Sequence, residues 1–358
     1  MGNSIVLGSG YGDEGKGLTV HNLCAPDSLV IRFSGGQQAG HTVIHNGAKH
    51  VFSNFGSGTM IGCPTFFTED TCIYPKTITR EWQELVGKGF TPRLYIHPLA
   101  KVTTPYDVWA GRLKELKTRH GSCGMGIGAT MKRNEGPVKL YAVDLLAPAS
   151  LLRAKLEAIR AYHGFDENAP LVELEVFIHD MEAFHEAVAN RRFDVCRFDQ
   201  LPRHSNIVFE GSQGVLLDMD HGAFPHVTYA NTTSKNAWKY AGADAAVYYV
   251  TRCYQTRHGN GPFDDNPVTL TNNNEEINIL NTWQGAFRTG EIDDSLLRHA
   301  INVDLSYHPA NTECNLVVTC VDQRPDFTFD FSTMKGLFAG VYVNDSPNSG
   351  NMVKMKIA

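Results

Sequence analysis

Short apolar runs, each closed by glycine and polar residues, set the pattern of this chain. Ser4 to Leu7 is the first, opening into "GSGYGDEGKG" (Gly8 to Gly17), after which Leu18 to Leu23 is expected to begin a helix. A second run, Leu29 to Phe33, ends in "SGGQQAGHT", and Val43 to Phe52 reads as a hairpin about Asn46-Gly47. Helical spacing covers Val108 to Lys117 and Leu151 to His163. Between them, Gly121 to Ala129 is expected to be a mobile loop that closes over a substrate. Asn206 to Glu210 leads into "GSQG", and Ala245 to Thr251 and Asn315 to Val321 are later strands, the last ending in "DQRP". Buried-type strands alternating with helices predict an α/β fold. Its features are a mostly parallel central sheet, a P-loop-like phosphate-binding turn and inserted helical segments. No repeat, low-complexity tract or linker interrupts the pattern, so residues 1–358 read as one domain with a helical insertion near 100–200. The loops after the first two strands, taken as neighbours, mark the expected ligand position of an open α/β sheet.

Composition narrows the partners. No apolar run reaches the roughly 20 residues of a membrane span, and the N-terminus lacks the basic and apolar regions of a signal peptide, so a soluble, cytoplasmic protein is expected. Thirty-two basic and 38 acidic residues give a net charge of −6 without any block of one sign, which disfavours nucleic acid as a partner. The eight cysteines show no C-x-x-C pair and no metal-ligand rhythm with histidine, the pattern of reduced thiols.

Candidate chemistry starts at G-x-x-x-x-G-K, met at Gly10, Gly15 and Lys16 between a strand and a helix, where backbone N–H groups point at phosphate. The bland alternative is a glycine turn packing a helix on a sheet. Gly17 stands where an ordinary P-loop carries the magnesium-binding hydroxyl, but Asp13 places a carboxylate inside the loop, suited to holding magnesium or taking a proton. His41, after Gly40 in the second loop, is either structural or a donor to a phosphoryl oxygen. In "FEGSQGVLLDMDHGAFPHVTYANTT", Asp218, Asp220 and His221 suggest a metal cluster or a hydrogen-bonded scaffold, the scaffold being preferred, while Gln213 and Thr228 are neutral donors for a phosphate or a base edge.

The motifs "GYGDEGKG", "GGQQAGHTVIHNG", "FEGSQGVLLDMDHGAFPHVTYANTT" and "TRHGNGPF", in this order, resemble the adenylosuccinate synthetase family from Gly8 to about Asp322. The resemblance implies a carbon–nitrogen ligase that joins L-aspartate to a 6-oxopurine monophosphate through a 6-phosphoryl intermediate, driven by a nucleoside triphosphate and Mg2+. It implies Asp13 as the base at N1 and a magnesium ligand, His41 as the acid, and the Gly40 carbonyl as a second magnesium ligand. Gly12, Glu14, Gly15, Lys16, Gly17, Gly40, Thr42 and Asp322 would hold the triphosphate; Asp13, Gln38, Ser122, Cys123, Gln213 and Thr228 the monophosphate; and Arg288 and Thr289, in "AFRTGEID", the aspartate. A homodimer is implied, with Lys132 or Arg133 as the basic residue entering the neighbour's site.

The chain departs from the family's usual pattern at His21, Gln38, Cys123 and Cys320, and its C-terminus is short. These departures resemble the phage branch, which acts on dGMP to make 2-aminoadenine nucleotides and would work in the host cytoplasm; the ordinary IMP enzyme is the alternative. A purine 2-amino group would need space and an acceptor near Asp13, His21 and Gln38. A nucleotide-binding switch is a further reading, disfavoured because it needs no base at N1. A dinucleotide-binding oxidoreductase is weaker still, lacking a ribose-binding acid after the second strand.

Overall fold

A computed structural model gives the arrangement of residues 2–166, 171–264, 266–271, 280–281, 283–328, 334 and 336–355. The strands and helices in chain order are β1 (Ser4–Gly8), α1 (Lys16–Leu23), β2 (Ser28–Arg32), β3 (His41–His45), β4 (Ala48–Phe52), β5 (Thr65–Phe67), β6 (Cys72–Ile73), α2 (Pro75–Gly87), β7 (Leu94–Ile96), β8 (Lys101–Val102), α3 (Pro105–Thr118), α4 (Ile127–Glu135), α5 (Ala149–His163), α6 (Leu171–Ala189), β9 (Phe193–Val195), β10 (Asn206–Gly214), α7 (Trp238–Ala241), β11 (Ala246–Arg252), β12 (Gln255–His258), β13 (Leu280–Asn281), β14 (Gly285–Gly290), α8 (Asp294–Leu305), β15 (Cys314–Thr319), β16 (Gly340–Asn344) and β17 (Met352–Met355).

Ten strands form one sheet in the order β17-β16-β15-β11-β1-β10-β2-β5-β7-β9, every pairing parallel except β16 with β17. The mostly parallel α/β architecture expected from the apolar runs is therefore present. Both faces of the sheet are covered, which is why its strands are apolar without alternation. Ile5, Leu7, Leu29, Ile31, Phe209, Val247 and Leu316 project into one core layer, while Val6, Val30, Val208, Val250 and Val317 meet Val20 of α1 on the other face. Because the strands run parallel, the loops after β1, β2, β10, β11 and β15 all leave one edge. No helix among the described residues is long and apolar enough to cross a membrane.

Three expectations change. β1 and β2 are not neighbours, because β10 lies between them and pairs with both, so the strand carrying "FEGSQG" runs up the middle of the site. That strand also continues past Glu210 to Gly214, whereas the strand expected to reach Val321 stops at Thr319. The segment Gly121 to Ala129 is a loop only as far as Gly126, which caps α4 with a φ of 79°.

The helices over residues 105–163 are joined by a buried carboxylate. Asp107 caps α3, accepting from the Thr104 N–H at 2.9 Å, and receives Arg133 of α4 at 2.9 and 3.0 Å through both oxygens and His163 of α5 at 3.0 Å. Arg133 is fully buried and also donates to the carbonyls of Val102 and Val138. Arg133 is thus excluded as a residue entering a neighbour's site, because its guanidinium is consumed inside its own fold. Burial pushes the Asp107 carboxyl up, but hydrogen bonds from His163 and Arg133 and the Arg133 charge outweigh it and hold the group below its ordinary value. A carboxylate so depressed contributes stability above its unfolded-state value, and the contribution is lost as pH falls through the folded one. Arg133→Met is expected to lower unfolding stability in urea by about 3 to 5 kcal/mol at neutral pH. The gap to the parent should narrow below the ordinary carboxylate range, where the parent protein loses the Asp107 contribution too.

Candidate functional site

A cavity of about 970 Å³ opens at the carboxyl edge of the sheet, a volume able to enclose more than one nucleotide-sized ligand. Its wall includes the whole run Gly12, Asp13, Glu14, Gly15, Lys16 and Gly17, with Gln38, Gly40, His41, Thr42, Ser122, Cys123, Gln213, Thr228 and Asp322. Sequence positions more than 300 apart thus meet in one chamber.

The loop between β1 and α1 is shaped by Glu14, whose side chain turns inward. Its Oε1 accepts from the N–H groups of Gly10 at 3.0 Å and Gly12 at 2.8 Å, and its Oε2 receives Lys16 Nζ at 2.6 Å. Glu14 therefore braces the cradle and holds the lysine in it, with its carboxylate already committed to these partners. Gly15, at φ 93°, is the N-cap of α1, so the first N–H groups of the helix face the cavity as an anion site. A side chain at Gly17 has no room: its Cβ would fall 2.6 Å from the Cβ of His41 and 2.9 Å from Ser57 Oγ. The missing P-loop hydroxyl thus has a steric cause, since the first turn of α1 packs against the strand that bears His41.

His41 opens β3, and its Nδ1 lies 2.5 Å from Glu210 Oε1 in the middle of β10. Glu210 is fully buried and also accepts from the Ser57 N–H at 3.0 Å and the Ser57 hydroxyl at 2.5 Å. Burial alone would raise this carboxyl, but His41, the Arg32 guanidinium and Ser57 outweigh it and bring it down to about 2. An ionised carboxylate only accepts, so Nδ1 of His41 carries a proton and Nε2 remains for other work. Burial, with the charges of Arg32 and Lys16, lowers the pKa of His41, while Glu210 opposes them. The histidine is oriented by a carboxylate, the arrangement of a positioned acid–base group.

Asp13 sits in left-handed backbone conformation, φ 62°, with Oδ2 at 3.4 Å from His258 Nε2 of β12. Gln38 lines the cavity with neither its amide nitrogen nor its amide oxygen partnered among the described residues, and the Gln213 oxygen is in the same condition. Buried polar atoms are almost always satisfied, so these side chains are placed to pair with a ligand. Burial pushes the Cys123 thiol up, leaving a neutral, weak donor at its place on the wall. Asp322, just past β15, accepts from the Gln323 amide at 2.7 Å.

Arg288, Thr289, His21 and Asp218, singled out in the sequence, are not on the cavity wall. Arg288 donates to the carbonyls of Gly259 at 2.6 Å and Gly261 at 3.1 Å and lies over the Phe263 ring, and neither it nor Thr289 lines the chamber. Arg288 supports the loop bearing Asn260, which is on the wall. A guanidinium that does line it is Arg257, buried and donating to the carbonyls of Asn260, Pro262 and His226. His21 is behind the wall, with Nδ1 at 2.9 Å from the Ser57 carbonyl oxygen and Nε2 at 3.1 Å from His45. Asp218 accepts from Asp220 N–H at 2.9 Å and Thr232 N–H at 2.5 Å, and so is the scaffold of its loop. Lys132 lies on the cavity wall of its own chain.

The contacts of Glu210 and Ser57 around His41 and of His258 with Asp13 were not legible in the sequence. Glu210 and His258 lie inside the quoted motifs "FEGSQG" and "TRHGNGPF", but no spacing rule tells which of their side chains turn toward His41 and Asp13.

Among the described residues no three His, Cys, Asp or Glu side chains converge on one point. The oxygens available beside the cradle, the Asp13 carboxylate and the exposed Gly40 carbonyl, are the hard donors that magnesium takes when waters and phosphate complete its shell, so they fit that ion.

The sequence model of the adenylosuccinate synthetase family matches residues 5–318. Adenylosuccinate synthetase of Pseudomonas putida (strain W619) is 32% identical over 323 residues, covering 84% of this chain and 74% of that protein. The enzyme of Coxiella burnetii (strain Dugway 5J108-111) is 35% identical over 288 residues, 75% of this chain and 65% of that one. In fold the chain is similar to fully ligated adenylosuccinate synthetase from Plasmodium falciparum, with a TM-score of 0.72 at 23% identity over 90% of this chain and 77% of that one. It is also similar to cyanophage S-2L succinoaminodeoxyadenylate synthetase bound to dGMP and dATP, with a TM-score of 0.64 at 17% identity over 99% and 96% of the two chains. With the phosphate cradle, Asp13 and the His41–Glu210 pair on one cavity wall, and with this match over most of its length, the chain belongs to the adenylosuccinate synthetase family of carbon–nitrogen ligases.

Proposed function

We propose that this ligase joins L-aspartate to C6 of a purine monophosphate through a 6-phosphoryl intermediate, with dGMP as the favoured acceptor and a 2-aminoadenylosuccinate as product. The observation that carries the chemistry is that Asp13 and the Glu210-held His41 face the same cavity as the Lys16 cradle.

In this mechanism Asp13 takes the N1 proton and the electron pair moves onto O6. O6 attacks the γ-phosphorus of the triphosphate, the bond to the β–γ bridging oxygen breaks, and the diphosphate leaves. Lys16 and the N–H groups at the start of α1 neutralise the phosphates. Charge arriving on O6 and the phosphoryl oxygens favours protonation of His41, which Glu210 supports, and Nε2 then donates to them. The aspartate amine attacks C6, the C6–O6 bond breaks, and inorganic phosphate departs as the amine loses a proton. Magnesium held by Asp13 and the Gly40 carbonyl would add positive charge at the triphosphate. Asp13, Gln38, Ser122, Cys123, Gln213 and Thr228 are assigned to the monophosphate; Gly12, Glu14, Gly15, Lys16, Gly17, Gly40, Thr42 and Asp322 to the donor nucleotide.

The choice of dGMP rests on Gln38. Its unpartnered amide offers an acceptor to a 2-amino group, and a buried acceptor left unpaired by a purine lacking that group costs affinity. The phage enzyme of similar fold is bound to dGMP and dATP, which agrees with this reading and with an adenine donor. His21, behind the wall, adds nothing to it. The second reading, IMP with GTP, is favoured by the curated relatives at 32–35% identity and by Asp322, a carboxylate suited to a guanine edge.

Incubation with L-aspartate and magnesium over a grid of IMP, GMP and dGMP against GTP, ATP and dATP, read by chromatography and mass, is expected to give a succinyl adduct on dGMP. Equal or better turnover of IMP would overturn that choice and leave the ligase reading standing. Asp13→Asn is expected to lower kcat at least about 100-fold while calorimetry still shows triphosphate binding. Undiminished turnover would remove its role as base. His41→Ala is expected to lower kcat by about 10²- to 10⁴-fold with a much smaller change in KM for the monophosphate, and a pure KM defect would count against an acid.

A further inference from the structure

Asp13 needs help to be a base of fixed direction. It is a non-glycine residue at positive φ, in a loop with Gly12 before it and Gly15 two positions after. The elements facing it are β11 and β12, which grip the loop at three points. Arg252 Nε donates to the Asp13 carbonyl at 2.5 Å, the Thr256 hydroxyl donates to the Gly12 carbonyl at 3.0 Å, and His258 Nε2 lies 3.4 Å from Asp13 Oδ2. The first two contacts fix the main chain of the loop, and only the third reaches the carboxylate.

Thr256 and His258 are two residues apart on one strand and so share a face, while the Arg257 guanidinium between them lies over the Tyr11 ring. β12 is held in register by β14, His258 opposite Phe287, whose ring lies 5.0 Å away. The histidine is therefore placed by a paired strand and an aromatic neighbour, a rigid mount suited to orienting a catalytic group.

We propose that His258 is the positioning residue of the catalytic base: its Nε2–H selects the rotamer in which Asp13 presents its other carboxylate oxygen to N1 of the purine. This rests on Asp13 acting as base in the proposed ligase reaction. The role is one of geometry, since a displacement of about 1 Å at a reacting group can cost on the order of 100-fold in rate.

The test compares His258→Leu, which keeps bulk against Phe287 and loses the donor, with His258→Gln, whose amide N–H reaches to about the same place. In steady-state assays on the acceptor that the intact protein uses best, His258→Leu is expected to lower kcat about 10- to 100-fold with KM for the monophosphate within about threefold, and His258→Gln to restore kcat to within about threefold. Equal kcat in all three proteins, or failure of Gln to restore a rate lost in Leu, overturns the proposal. Crystal structures of the parent protein and His258→Leu give a readout that does not depend on the substrate assignment. A shifted Asp13 carboxylate over an unchanged main chain from Gly12 to Gly15 supports the proposal, and an unmoved carboxylate overturns it. A parent protein inactive on every acceptor would refute the ligase reading alone, and the crystallographic comparison would still decide the role of His258.

Discussion

Burial of the Glu210 carboxylate at the centre of the sheet is the constraint around which the site is organised. A negative charge with no access to water must be surrounded by donors, and three separate segments supply them: His41 at the start of β3, Ser57 beyond β4, and the neighbouring charge of Arg32 on β2. The cost of burying the charge is offset only when all of them are in place, so the carboxylate ties the β3–β4 hairpin and the following turn to the middle of the sheet. The same requirement fixes the orientation of His41, and thereby the atom that it turns to the cavity. One buried charge thus contributes both to the fold and to the chemistry.

The phosphate cradle obeys a related logic. Glu14 folds inward on the N–H groups of Gly10 and Gly12 and draws Lys16 into the loop, so the cradle is prepared by an internal ion pair before any phosphate arrives. In the proposed reaction a triphosphate would compete with Glu14 for a lysine already in place, with little chain entropy left to lose. Gly17 belongs to the same compaction. The close approach of α1 to His41 leaves no space for a side chain, and Asp13 is the nearby carboxylate on the wall that the proposed reaction would use in place of the P-loop hydroxyl.

Much of this was legible in the chain itself. Continuous apolar runs ending in glycines implied a parallel sheet with its loops on one edge, and the hairpin at Asn46-Gly47 followed from turn chemistry. The phosphate cradle, Asp13, His41 and Gln213 were visible because loop motifs carry their chemistry in a few adjacent residues, and all four lie on the cavity wall, whereas Gln38, also on the wall, was pointed to only by the family resemblance. These are short-range properties, decided by backbone conformation and residue type within about ten positions.

The long-range assignments were decided by tertiary structure. Arg288, expected at the ligand, is spent on the carbonyls of Gly259 and Gly261, while Arg257, one strand away, lines the cavity instead. His21 is turned behind the wall, and Arg133 is consumed by Asp107. Glu210 meets His41, and His258 meets Asp13, only because β10 is inserted between β1 and β2 and because β12 faces the loop after β1. Strand order and the direction of each side chain depend on which surfaces the packed chain can bury together, a balance among distant residues that no local pattern encodes. The sequence by itself determined which chemistry the loops carry; the packing decided which side chains stand close enough to use it.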